Sequence, residues 1–69
     1  LQSTAFNYYN TQVKLPYGQL GPYMDWCERN CSEEWFVTES TDFAEALDGN
    51  YKFFFLSEKD YVNFILWKK

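Results

Sequence analysis

The chain has 69 residues, enough for one small domain and too few for two. Phe, Tyr and Trp supply 23% of them, which excludes a disordered chain, and no apolar run is long enough to form a membrane helix. The net charge of −4 disfavours direct phosphate binding, and the absence of His removes the commonest general base and the commonest metal ligand.

Other chemistry narrows in the same way. Without His, neither a Ser-His nor a Cys-His nucleophilic pair can form within the chain. Gly18, Gly21 and Gly49 make neither a phosphate-cradling loop nor a dinucleotide fingerprint. Paired carboxylates remain, but so short a chain has little room for a closed pocket. The expectation is a protein that is not an enzyme, with no cofactor and no metal site. No charged run followed by an apolar stretch marks a signal peptide. Two cysteines are too few for a disulfide framework, so reduced thiols and a cytoplasmic location are expected.

Residues 4–15 read as a strand, from the alternation around Phe6 and Tyr8 and then Thr11, Val13 and Leu15. The change of parity near Tyr8-Tyr9 suggests a bulge or a strand with both faces partly covered, and Pro16-Tyr17-Gly18 ends the strand. Gly21-Pro22 reads as a helix start with Pro22 in first position. Leu20, Met24, Cys27 and Cys31 then recur at helical spacing, with Tyr23 beside them and Asp25, Glu28 and Arg29 opposite. Cys27 and Cys31 read as small apolar members of that stripe. A disulfide, or a metal site shared between subunits, is the alternative.

Residues 34–39 read as a second strand around Trp35-Phe36-Val37. Within the connection over 40–50, Asp42-Phe43-Ala44-Glu45 resembles a capping box and allows a short helical turn. Asp48-Gly49-Asn50 signals a turn. Residues 51–56 form the third strand, with Tyr51, Phe53 and Phe55 on one face and Lys52, Phe54 and Leu56 on the other. Ser57 caps a last helix, with Asp60 three residues on. Tyr61, Phe64, Ile65 and Lys68 make its stripe, and Val62 and Leu66 widen it.

The order β-α-β-β-α predicts a single α+β domain over residues 1–69. Its sheet has three mostly antiparallel strands, with two helices on one face. If the first two strands are parallel neighbours, the first helix makes a right-handed crossover between them. The arrangement resembles a partial ferredoxin-like unit that lacks its last strand.

Charge is uneven along the chain. Eight of the ten acids lie from Asp25 to Asp48, opposed only by Arg29. Such a run is either a solvated face or a docking surface for a basic protein, with a DNA-mimicking inhibitor as the extreme form. The aromatic strand over 51–56 is similar to the stacking strand of RNA-recognition folds but lacks that motif's Gly and basic opening, which argues against nucleic acid. A three-stranded sheet with helices on one side cannot cover both faces of this strand. One aromatic face is left for solvent, for the 40–50 loop or for another subunit, and a homodimer is expected.

Trp26 and Cys27 in the first helix, Trp35-Phe36 in the next strand, the run from Tyr51 to Asp60, and Phe64, Leu66 and Trp67 resemble small proteins of tailed bacteriophages over about residues 23–69. The resemblance implies a viral accessory protein in the cytoplasm of an infected bacterium. It carries no assigned activity and no site residues. The expected function is therefore protein–protein contact, as an acidic factor that binds or inhibits a host protein. The candidate partner-binding residues are Glu33, Glu34, Glu39, Asp42, Glu45 and Asp48, with Trp35 and Phe54 on the spare aromatic face. The alternative is a structural subunit of a virion or assembly, held together by that face.

Overall fold

The computed structural model describes residues 8–16 and 18–69. Phe6, with the rest of the strand expected over 4–7, and Tyr17 lie outside these residues. The elements in order are β1 (Tyr9–Lys14), α1 (Leu20–Asn30), β2 (Trp35–Glu39), α2 (Phe43–Leu47), β3 (Asn50–Phe55) and α3 (Glu58–Trp67). The helical turn expected in the 40–50 connection is α2.

The sheet order is β1-β3-β2, and both outer strands run antiparallel to β3. β1 and β2 therefore run parallel to each other, joined through α1, with β3 inserted between them. This is the split β-α-β arrangement expected of a partial ferredoxin-like unit. The first two strands are not neighbours. β3 takes the centre, with its backbone paired along both edges. One-residue extensions lengthen each ladder: Leu15 N donates to Gly49 O at 2.9 Å, and Leu56 N donates to Glu34 O at 2.9 Å. Tyr9 to Lys14 pair one to one with Phe55 to Asn50, and the bulge expected near Tyr8-Tyr9 falls where the described residues begin.

Strand parity sends Tyr51, Phe53 and Phe55 to one face, where α1 and α3 pack. Val13, Leu15, Cys27, Phe53, Phe55 and Phe64 form the buried core. Phe64 is its centre, with ring centroids 4.8 Å from Phe53 and 5.0 Å from Phe55. Tyr23 and Trp26 reach Phe64 from α1 at 6.1 and 5.8 Å. Trp26 also stacks on Trp67 at 5.0 Å, joining the two helices at their outer edge. Such aromatic pairs each contribute about 0.5–1.5 kcal/mol beyond the area they bury.

Two helix stripes differ from expectation. On α1, Met24 faces solvent and Trp26 packs inward. On α3, Val62 and Leu66 are exposed, so the buried stripe is the narrow one through Phe64. Three strands offer only a narrow floor, and each helix seats just one side on it. α1 starts earlier than expected, with Gln19 as N-cap, so Pro22 falls third in the helix. The first-turn N–H groups of a helix have no internal partner, so a proline fits there too.

The capping expectations are half met. Ser57 Oγ accepts from Asp60 N at 3.3 Å, but the Asp60 carboxylate does not reach back to Ser57. It is 2% exposed and turns instead to the segment between α1 and β2. There it accepts from Ser32 N at 2.9 Å and from Glu33 N at 3.1 Å. Asp42 Oδ1 accepts from Ala44 N at 2.9 Å and Glu45 N at 3.2 Å. Glu45 closes its side of the box through a relay: Ser40 Oγ donates to Glu45 Oε1 at 2.7 Å and accepts from Asp42 N at 3.2 Å.

Candidate functional site

The helix-free face of the sheet carries Asn10, Gln12 and Lys14 from β1, Phe36 and Thr38 from β2, and Lys52 and Phe54 from β3. Phe36 and Phe54 are cross-strand partners and stack at 4.6 Å with 11° between their planes. Tyr8 meets Phe36 edge-on at 5.1 Å. Loss of water contact, and then the Glu34 carboxylate that it hydrogen-bonds, push the Tyr8 phenol above its ordinary range. Aromatics thus occupy one end of this face and two lysines the other.

Phe54 therefore lies where the spare face was expected, but Trp35 does not join it. Trp35 is opposite Phe55 and packs against the core. Its neighbour Phe36 takes the place beside Phe54. An aromatic pair in sequence always splits across a strand's two faces. Only the register decides which member faces outward.

The acids divide into two groups. Glu33 and Glu34 precede β2, whereas Glu39 is its last residue and Asp42, Glu45 and Asp48 follow it, with about 13 Å of strand between the two groups. Asp42 and Glu45 are committed to the α2 cap. The side chains of Glu39 and Asp48 hold no hydrogen bond or ion pair with the described residues. The only ion pair among the described residues is Arg29 Nε to Asp25 Oδ2 at 3.2 Å, within α1, and it includes no member of either group.

Phe43 and Leu47 on α2 are the functional candidates that sequence reading missed. They are 77% and 72% exposed, the most exposed of the large apolar side chains among the described residues. Their four-residue spacing puts them on one side of the helix. The spacing was visible in the sequence, but the same spacing serves equally for packing inward.

Cys27 is buried and Cys31 half-buried, both as free thiols. Burial, then the neighbouring Cys31 and Asp60, push the Cys27 thiol up to about 12. Burial and the Asp60 charge push Cys31 up to about 11. Among the described residues, no group of three or more Cys, Asp or Glu side chains is placed to hold a metal ion. Those residues form no pocket, and no helix among them is long and apolar enough to cross a membrane.

Comparison of the chain with models of protein families, with curated proteins and with solved structures finds no match in any of the three.

Proposed function

We propose that this chain is a binding protein that works by protein–protein contact and not by catalysis. One observation carries the reading: packing leaves large apolar side chains outside the core, with Phe43 and Leu47 on α2 the most exposed of them and Phe36 stacked on half-buried Phe54 on the helix-free face, while Tyr9, Met24, Val62, Leu66 and Trp67 are exposed elsewhere. Apolar surface that does not serve folding is the usual mark of an interface. The surplus of acids from Asp25 to Asp48 supports a basic partner, since complementary charge raises the rate of encounter and sets orientation. The resemblance to small proteins of tailed bacteriophages supports a host protein in that role, met in the cytoplasm of an infected bacterium.

The Phe36–Phe54 stack favours a second reading, a homodimer or assembly subunit joined by the helix-free face. Salt separates the two, because charge-steered docking weakens as salt rises and apolar packing does not. Light scattering across concentration, at low and high salt, reads the mass. The same protein, used as bait in a bacterial lysate, reads partner binding. A monomer whose partner is released by salt supports docking to another protein. A salt-resistant dimer supports the subunit reading. A monomer that retains no protein at any salt concentration overturns both.

A further inference from the structure

We propose that Phe43 and Leu47 are the anchors by which this chain inserts into an apolar groove on a partner protein, and that the groove is rimmed by Lys and Arg side chains. The proposal rests on the reading of the chain as a protein-binding module and names the surface and the partner's chemistry.

The argument begins with how firmly so short a helix is held. α2 spans only Phe43–Leu47, too few residues to be stable by propensity alone. Its surroundings brace it at both ends. Asp42 caps the first turn, and Ser40 links that cap to Glu45. Asn50 Nδ2 donates to Glu45 O at 2.9 Å, and Gly49 N donates to Ala46 O at 3.0 Å. Ser40 and Asn50 are themselves fixed, since Ser40 N donates to Asn50 O at 3.1 Å across the β2–β3 ladder. The bracing therefore ties α2 to the sheet.

What this bracing displays is a phenyl ring and an isobutyl group in solvent. Neither contributes to the core, yet the backbone that carries both is held in place in advance, and prior ordering of that backbone lowers the entropic cost of binding. Two anchors four residues apart stand about 6 Å apart along the axis, which is the pattern of a helix laid into a groove.

Charge selects the partner. From residue 30 to residue 51 the chain has six acids and no Lys or Arg. Asp42 and Asp48 bracket the helix, and Glu39 lies at the adjoining end of β2. An anionic membrane or a nucleic acid would be repelled by this rim. A groove edged with Lys and Arg would be attracted to it and oriented by it.

The test places a photocrosslinking benzophenone at position 43 of the full chain, and in a second sample at position 54, and irradiates each in a bacterial lysate. The crosslinked protein is identified and purified. Its affinity is then measured for the unmodified chain, for Phe43→Ala/Leu47→Ala, for Phe36→Ala/Phe54→Ala and for Glu39→Lys/Asp48→Lys. Phe43 and Leu47 on α2, Glu39 at the end of β2 and Asp48 just after α2 are all exposed, and circular dichroism melts check that each variant is folded.

The expected result is a loss of about tenfold or more for Phe43→Ala/Leu47→Ala. Glu39→Lys/Asp48→Lys should lose severalfold at low salt and much less at high salt. Phe36→Ala/Phe54→Ala should change affinity less than twofold. A partner held from position 54 and indifferent to Phe43→Ala/Leu47→Ala would overturn the α2 proposal and leave protein contact standing. Crosslinking at position 43 to a second copy of this chain would overturn the basic-groove partner. No crosslinked protein from either position would overturn both the proposal and the reading beneath it.

Discussion

The carboxylate of Asp60, in the first turn of α3, accepts a 2.9 Å hydrogen bond from the backbone nitrogen of Ser32. Glu33 N donates to the same oxygen at 3.1 Å. One buried side chain thus satisfies two consecutive N–H groups of the segment that leads from α1 into β2, and ties that segment to the last helix. Asp60→Ala would strand both donors and should cost about 2–3 kcal/mol. Asp60→Asn keeps an acceptor oxygen and should cost less. Urea unfolding of the two variants checks the order, and an Ala variant as stable as the parent would remove this role.

Phe64 and Leu66 are neighbours on α3 with opposite roles. Phe64→Ala would empty the centre of the core and should cost about 3–5 kcal/mol. Leu66 is exposed, and Leu66→Ala should stay within about 0.5 kcal/mol of the parent. The same denaturation experiment separates them. A large loss at Leu66 would mean that α3 buries a wider face than the stripe through Phe64.

Gly18 and Gly49 both have positive φ, at 86° and 84°. Ala at either position pays the left-handed backbone cost of about 1–2 kcal/mol. At Gly18 a Cβ would meet nothing within 4 Å, whereas at Gly49 it would lie 2.6 Å from the backbone oxygen of Leu15. That contact cannot relax without opening the Leu15–Gly49 bridge that extends the β1–β3 ladder. Gly49→Ala should therefore be clearly the less stable of the two, and equal melting temperatures would contradict the close approach.

The thiols predict a loss of stability in alkali. An ordinary Cys titrates near 9.0, and the folded protein holds Cys27 near 12 and Cys31 near 11. Between these values the unfolded chain gives up protons that the folded chain keeps, so folding weakens as pH rises. The contribution is complete below pH 9 and is lost as pH climbs from 9 through the folded values of about 11 and 12. Melting temperatures measured across that range should fall less steeply in Cys27→Ala/Cys31→Ala than in the parent. Both thiols should also react slowly with a disulfide reagent at pH 8, because the thiolate is the nucleophile. Rapid labelling of Cys27 in the folded protein would contradict its burial.

How far the sequence reaches is clearest at particular residues. The period-two pattern of Tyr51, Phe53 and Phe55 against Lys52 and Phe54 is a local property of a strand, and it placed both faces of β3 correctly. Ser57 and Asp42 were legible as caps because a cap is made within a few residues of itself. The reach of Asp60 to Ser32 was not legible, since 28 positions separate them. Met24 was placed inward for a related reason: Met24 and Trp26 flank the apolar stripe of α1 from opposite sides, and only the position of α3 decides that Trp26 is the one covered.

By itself, the chain's pattern of apolar residues determined an α+β domain with helices on one face of a three-stranded sheet, and its charges determined where the acids gather in sequence. The tertiary structure decided the insertion of β3 between β1 and β2, the turning of Trp35 inward and Phe36 outward, and the exposure of Phe43 and Leu47. Periodicity tells which residues share a face. It does not tell which face meets another element, because that depends on contacts between segments far apart in the chain, and those exist only once the elements have packed.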